Sequence, residues 1–290
     1  MKNLFNLALR LLSTISGKKV LYISNKTIQP SHLAAKSKYG FWYTGNVYDQ
    51  SDIAYGIAQN GTVEDFDTKT VVSILKTLPS NFVFFDIGAN TGWYTMLAAS
   101  LSPSSSIHSF EPLSEHTECL AESASVNRYN ERIHIHELAL SNAQGYAEIL
   151  LAGSGSSLNK NFLGVPAKTR KIRTEVLDVY SQNNRLPSPD FIKIDVEGHE
   201  LEVLKGATMI LDQHPILFIE VAQSLRKLKR GFINEHFEET FKMLEGKGYK
   251  VFILQNEQVR KYVPTDKIDG VYMYLCLHPS SHSGLLSRYA

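Results

Sequence analysis

The sequence predicts an α/β fold: a doubly wound, mostly parallel sheet with helices on both faces. Three observations predict it. Seven strand-like apolar runs have helix-like runs between most of them, which is the pattern of a sheet covered on both sides. One of those strands, "FVFF" at 82–85, breaks directly into "DIGANTG" and then into a helix. That is the strand, tight turn and helix at which α/β proteins bind small anionic or nucleoside ligands. The last two strands have no helix between them, so they are expected to pair antiparallel.

Each element follows from a local pattern. In "TKTVVSILKTLP" (68–79), Val71, Ile74, Leu75 and Leu78 share one helical face and Pro79 ends the helix. After the opening strand, a helix runs from Thr91 with Tyr94, Leu97, Ala98 and Leu101 on one face. "SIHSFEP" (106–112) is a second strand ended by Pro112, and "SEHTECLAESASVNR" (114–128) a helix with a Ser cap and an early Glu. "RIHIHELAL" (132–140) is a third strand. "YAEILLA" and "RKIRTEVL" are extended runs around a Gly/Ser loop, 153–164. "DFIKIDVEG" (190–198) is a strand, followed by a helix over 199–214 with Leu201, Leu204, Thr208 and Leu211 inward. "PILFIEV" (215–221) is a strand, and 234–248 a helix stopped at Gly246 or Gly248. "KVFIL" and "GVYMYLCLH" are the final pair. Residues 17–66 are aromatic-rich and irregular, with turns between short strands. The expected organisation is an N-terminal extension over 1–60 and one domain over 61–290.

Composition excludes several classes. The formal net charge is +1, and the basic run "RKLKR" (226–230) suits a solvated loop or helix end, so nothing suggests a grip on long nucleic acid. The two cysteines, Cys119 and Cys276, offer neither metal spacing nor a disulfide framework and suit buried thiols of a cytoplasmic protein. No run approaches the roughly 18 apolar residues of a membrane span. At the N-terminus Arg10 interrupts the apolar stretch and no Ala-x-Ala follows, unlike a signal peptide. Leu4, Leu7, Ala8, Leu11, Leu12 and Ile15 instead share one helical face. Such a helix packs on its own domain, and a peripheral membrane or partner contact through residues 2–15 stays open beside that.

Two ligands compete for the glycine turn. A nicotinamide site wants Gly-x-Gly-x-x-Gly, so that pyrophosphate can lie against backbone N–H groups. Here the pattern is Gly88-x-Asn90-x-Gly92, and Asp86 stands just before it. An acid there repels pyrophosphate and suits a cationic amino-acid moiety, such as that of S-adenosylmethionine. Glu111, at the end of the next strand, lies where a ribose diol would be gripped. Glu111 alone does not discriminate; Asp86 with the altered spacing does. A ligand-free strand-to-helix connection is the bland alternative.

"DIGANTGWYT", "SFEP", "ALSNAQG" and "FIKIDVEGHELEVLKGA", in that order and spacing, resemble the FkbM family of S-adenosylmethionine-dependent methyltransferases over about residues 60–278. The resemblance implies a class I methyltransferase fold, a Rossmann-like sheet of seven strands with the last antiparallel. It implies O-methylation of a hydroxyl on a sugar, glycan, glycolipid or polyketide-type product. Carried over, Asp86, Gly88, Asn90 and Gly92 hold the methionine end and Glu111 the ribose. "LALSN" lacks the acid that many class I relatives place at the adenine amino group, so backbone groups of Ala139 or Leu140 are the substitutes. Residues 1–45 match no motif of the family.

The second constellation is "FIKIDVEGHE". Alternation along a strand puts Lys193, Asp195 and Glu197 on one face, which is costly in a buried strand unless they are paired or wet. Lys193 is placed to pair with Asp195 or Glu197. His199 begins a helix, where the imidazolium is disfavoured, so it is expected to be neutral and able to take a proton. A hydroxyl acceptor needs such a base, or a cation to stabilise the alkoxide. Asp195 and His199 are candidates for the first. Asp195 with Glu220, at the ends of adjacent parallel strands, is the candidate pair for Mg²⁺. The Asn/Asp-Pro-Pro-aromatic motif of amino-directed enzymes is absent, which favours oxygen. Some of Phe41, Trp42, Tyr43, Tyr48 and the 153–164 loop are expected to line the acceptor site, a hydrophobic lid over the sheet edge being the alternative for any one of them. The expected function is methyl transfer to a hydroxyl of a sugar, glycan or glycolipid. The competing readings are methylation of a polyketide or peptide product, a catalytically silent cofactor-binding module, and a nicotinamide oxidoreductase.

Overall fold

The computed structural model describes residues 32–46, 53–152, 155–159, 168–224, 234, 236–264, 268 and 270–289. The expected amphipathic segment 2–15, Tyr48 and the basic run 226–230 lie outside the described residues. In chain order the elements are β1 (His32–Lys36), β2 (Trp42–Asn46), α1 (Ile53–Asn60), α2 (Asp65–Leu75), β3 (Val83–Ile87), α3 (Trp93–Leu101) and β4 (Ser106–Phe110). They continue with α4 (Ser114–Val126), β5 (Ile133–His136), β6 (Ala139–Leu140), β7 (Gly145–Leu150), β8 (Thr169–Glu175), α5 (Leu177–Asn184) and β9 (Phe191–Ile194). The remainder are α6 (Glu200–Lys205), α7 (Thr208–Leu211), β10 (Ile216–Ser224), α8 (Phe237–Gly246), β11 (Lys250–Gln255), β12 (Gln258–Lys261), β13 (Gly270–Leu277) and α9 (Ser283–Tyr289). Among the described residues no helix is long and apolar enough to cross a membrane.

The chain forms two compact units. One comprises residues up to Asn81 together with Ala89–Glu137; the other comprises Phe82–Gly88 and everything from Leu138. In the first, β1 and β2 form an antiparallel hairpin and β4 and β5 a parallel pair. Its aromatic centre is Trp93, with Phe41 and Tyr43 packed on it at ring distances of 5.4 and 6.1 Å. Phe41 and Tyr43 are fully buried, and the Tyr43 hydroxyl bonds Thr91. They were expected beside the acceptor. The structure corrects this: residues with no exposed surface cannot stack on a sugar. Burying large aromatics contributes more than an exposed subsite would.

In the second unit the large sheet runs in the order β12-β11-β13-β10-β9-β3. β3, β9 and β10 are mutually parallel, and β13 is antiparallel to both β10 and β11, as expected for the final pair. Phe84 stacks on Phe191 at 5.2 Å, and Phe218 lies tilted to Phe191 at 6.3 Å across these three strands. The strands read as mainly apolar because both faces are covered. A separate three-stranded sheet has the order β6-β8-β7, with β7 and β8 antiparallel. The two extended runs flanking the Gly/Ser loop are these two strands.

Three expected elements are shorter than their patterns. The run 132–140 splits into β5 and β6. The strand expected over 190–198 ends at Ile194, so Asp195 and Glu197 lie in a turn, with Glu197 at φ 54° and Gly198 at φ 92°. The helix expected over 199–214 breaks at Gly206 into α6 and α7. A Cβ on Gly206 would lie 2.2 Å from the Ser141 carbonyl oxygen, so this glycine lets the chain after β6 approach α6.

Candidate active site

β3 ends in a turn in which Gly88, Asn90 and Gly92 all have left-handed backbone, at φ 72°, 52° and 92°. Glycine adopts this region freely, and Asn is the non-glycine residue that best tolerates it. Gly88 has a second reason to be glycine: a Cβ there would lie 1.8 Å from the Asp195 carbonyl oxygen. The missing middle glycine is thus met by Asn90, whose Oδ1 accepts from the Thr91 N–H at 2.7 Å.

Asp86 is 1 % exposed on β3, and Lys193 lies beside it on β9. The Lys193 ammonium donates to the Gly88 carbonyl at 2.9 Å and lies 3.2 Å from Asp195 Oδ2 and 3.6 Å from Asp86 Oδ1. Two carboxylates therefore share one ammonium. Of the pairings expected for Lys193, that with Asp195 forms, and Asp86 is added. Strand register brings Asp86 and Lys193 together, which sequence spacing cannot show.

Asp195, Glu197 and Glu220 each offer a carboxylate oxygen within 4.8 Å of the others, and all are half-buried. Parallel pairing aligns Ile194 of β9 with Ile219 of β10, which puts Glu220 level with Asp195 as expected. The left-handed Glu197 turns a third carboxylate into the group. Three carboxylates are the hard-oxygen set that suits Mg²⁺ or Mn²⁺.

His199 caps the N-terminus of α6, so it lies at a helix start as expected. Nε2 is 3.0 Å from Ser141 Oγ and Nδ1 is 3.7 Å from Glu202 Oε2. Burial holds its pKa below the ordinary 6.5, with Glu202 opposing, so the ring is neutral at physiological pH. The direction of the Nε2–Ser141 hydrogen bond is set by the tautomer of the ring. His199, Ser141, Ala143, Gln144, Tyr146, Ala147, Glu148, Leu158 and Thr174 line a cleft of about 510 Å³. Ser141 and Glu202 lie inside the quoted runs "ALSNAQG" and "FIKIDVEGHELEVLKGA" and Tyr146 opens "YAEILLA", but none of the three was singled out as a site residue.

In the first unit Glu111 is 6 % exposed. Its Oε2 accepts from the Asn90 N–H at 2.9 Å, and Oε1 accepts from the Leu113 N–H at 3.1 Å and faces His116 Nδ1 at 3.2 Å. A carboxylate offers about four lone-pair sites. Three are engaged, so the group is rigidly aimed and retains one site on Oε2. Ala139 and Leu140 form the edge strand β6, paired with Thr174 and Glu175 of β8.

Glu200 was not singled out by any pattern. It is 2 % exposed, accepts from the Gly198 N–H at 2.8 Å and takes a bond from Asn234 Nδ2 at 3.1 Å. Burial pushes its carboxyl up to about 7, and Asp195 adds to the effect. The native state therefore binds a proton that the unfolded chain releases near 4.5. Stability from this group is full below 4.5 and is lost as pH rises from 4.5 through about 7. Calorimetric melting should show the wild type falling over that window by several °C, at about 2–4 °C per kcal/mol, and Glu200→Gln not falling with it. Parallel melting curves for the two proteins would refute the assignment.

The model of the Methyltransferase FkbM domain matches residues 86–251, more than half of the chain. The hexuronic acid methyltransferase AglP of Haloferax volcanii is 27 % identical over 148 residues, which is 51 % of this chain and 59 % of that protein. The chain thus spans about three-fifths of the length of that relative. Among solved structures, an O-methyltransferase from Bacillus cereus in complex with SAH is 12 % identical, with 74 % of this chain and 81 % of that chain covered and a TM-score of 0.46. The precorrin-6y C5,15-methyltransferase of Geobacter metallireducens is 18 % identical, with 73 % and 86 % covered and a TM-score of 0.43. The matched segment opens on Asp86 and carries the whole run from the glycine turn through Lys193, Asp195 and His199 to Glu220, so the chain belongs to the FkbM methyltransferase domain family.

Proposed function

We propose that the protein is an S-adenosylmethionine-dependent O-methyltransferase whose acceptor is a hydroxyl of a sugar, glycan or glycolipid, with the methyltransferase domain over 61–290. The observation that carries the reading is the acidic end of β3 and β9. Asp86 and Asp195 both face the Lys193 ammonium beside the Gly88 turn. Carboxylates at that place disfavour a pyrophosphate and suit an α-ammonium group. For the cofactor the family resemblance implies Asp86, Gly88, Asn90 and Gly92 at the methionine end, Glu111 at the ribose and backbone groups of Ala139 or Leu140 at the adenine. The sugar-directed name of the Haloferax relative favours a carbohydrate over a polyketide or peptide product.

S-Adenosylmethionine, when bound, supplies an electrophilic methyl on a sulfonium. Most of the acceleration then comes from orientation, because the leaving group is already good. His199 would take the acceptor hydroxyl proton at Nε2 as that hydroxyl oxygen receives the methyl group. Glu202, with Oε2 3.7 Å from Nδ1, favours the tautomer that carries its proton on Nδ1 and leaves Nε2 to accept. Lys193 anchors the Gly88 carbonyl and Asp195, a positioning role. A divalent ion at Asp195, Glu197 and Glu220 is the competing way to stabilise the alkoxide.

The test is calorimetry with S-adenosylmethionine. Asp86→Asn and Glu111→Gln should each lose about 1.5–3 kcal/mol, one charge-assisted hydrogen bond, without unfolding. Unchanged affinity in both variants, or NADH binding in place of S-adenosylmethionine, sinks the reading.

A further inference from the structure

The cleft beside His199 points to where the acceptor sits. Its wall is the three-stranded sheet of the second unit and the turn from β6 to β7. At about 510 Å³ it falls within the range of small-molecule sites, about 300–1,000 Å³. Polar groups converge on it from Ser141, Gln144, Thr174 and His199. Tyr146 stands at its rim 70 % exposed, an unusual position for a large aromatic side chain. The Lys171 ammonium lies 4.6 Å from the Tyr146 ring centroid. That distance is a cation–π contact, which restrains the ring.

The cleft is also tied to the segment that carries the chemistry. Leu158 lines it, and the neighbouring Ser157 hydroxyl donates to the Glu197 carbonyl at 2.5 Å. One end of the segment 195–199 therefore packs on the Gly88 turn, and the other places His199 in the cleft wall. An acceptor in the cleft would present its hydroxyl to Nε2, in the place now held by the Ser141 hydroxyl.

We propose that this cleft is the acceptor subsite and that Tyr146 is the platform on which the C–H face of a pyranose ring lies, with Gln144 and Thr174 bonding ring hydroxyls. The proposal rests on the methyltransferase reading for its consequence but not for its binding step. An aromatic face recognises the aliphatic face of a sugar, and a ring of polar side chains around it recognises the hydroxyls. A polyketide chain would instead need a continuous apolar wall, and Ser141, Gln144, Glu148, Thr174 and His199 interrupt it here.

The experiment is saturation-transfer-difference NMR on the full chain without cofactor. The probes are methyl β-D-glucopyranoside and methyl β-D-glucopyranosiduronic acid, a neutral and an acidic form of the same ring. Wild type and Tyr146→Phe should saturate the ring C–H protons of at least one probe. Tyr146→Ala should weaken binding about tenfold, the scale of one lost stacking contact. S-Adenosylmethionine affinity, measured in parallel by calorimetry, should be unchanged in all three. Glycoside binding that survives in Tyr146→Ala, or neither glycoside binding wild type, overturns the subsite. Failure of S-adenosylmethionine to bind wild type overturns the proposed function instead, and leaves the glycoside result to stand or fall separately.

Discussion

Replacing Gly88 by alanine is expected to weaken S-adenosylmethionine binding by at least about 100-fold and to lower the melting temperature. Two costs act together. The residue sits at φ 72°, where a side chain is strained by about 1–3 kcal/mol. The added Cβ also lands 1.8 Å from the Asp195 carbonyl oxygen, and backbone cannot swing aside as a flexible side chain can. The turn must shift, taking with it either the glycine backbone that faces the cofactor or the segment leading to His199. Gly246 is the control, since a Cβ there meets nothing within 4 Å and its φ is ordinary. Gly246→Ala should leave melting and affinity near wild type. Circular dichroism melts and calorimetry on both variants check this. A Gly88→Ala protein that binds the cofactor normally would mean that the turn is only a chain connection.

His199→Gln is expected to reduce kcat by about 10²–10⁴-fold with S-adenosylmethionine affinity retained, the usual cost of losing a positioned general base. The amide keeps a polar group near Ser141 but cannot take the proton. Burial holds the imidazole pKa below 6.5. A base works deprotonated, so the acid limb of the wild-type kcat/KM profile should lie below that value. Rates should be flat above it until another group titrates. Turnover after exhaustive EDTA treatment separates the two ways of activating the hydroxyl. Full activity in EDTA with a collapse in His199→Gln selects the base. Activity lost in EDTA and restored by Mg²⁺ or Mn²⁺, with Asp195→Asn, Glu197→Gln and Glu220→Gln all inactive, selects the carboxylate group. If none of these changes matters, neither group carries the chemistry.

Much of this arrangement was legible in the chain because its causes are local. The turn at 86–92 was readable from two glycines and an Asn following an apolar strand, since left-handed backbone restricts residue choice wherever it occurs. Periodicity placed α2, α3 and α4 within a few residues, because one face of each must be buried. Strands β3, β9 and β10 were readable from mainly apolar runs, each carrying one charged residue, Asp86, Lys193 or Glu220. Their parallel pairing, and the meeting of Asp195 with Glu220, followed from the class of sheet. The neutral His199 followed from its place at a helix start, although burial is the larger cause.

What the sequence could not supply depends on which distant segments meet. It put Lys193, Asp195 and Glu197 on one face of a strand. The strand instead ends at Ile194, and left-handed residues 197 and 198 redirect the two acids. Phe41 and Tyr43 had the composition of a sugar platform, yet the hairpin that carries them folds them onto Trp93 and leaves no surface. The exposed ring is Tyr146, on a strand whose pattern said only that it was extended. By itself the sequence determined most strands of the large sheet, the helices α2, α3 and α4, the glycine turn, the acid before it and the family, because backbone sterics and helical or strand periodicity act over a few neighbouring residues; α1, α5, α9 and β12 went unread. Only the tertiary structure decided that Asp86 shares Lys193 with Asp195, that Glu197 joins Asp195 and Glu220, that Glu200 is buried, and that Ser141 and Glu202 flank His199. Burial, desolvation and hydrogen bonding between residues far apart in the chain depend on strand register and packing, which no window of sequence contains.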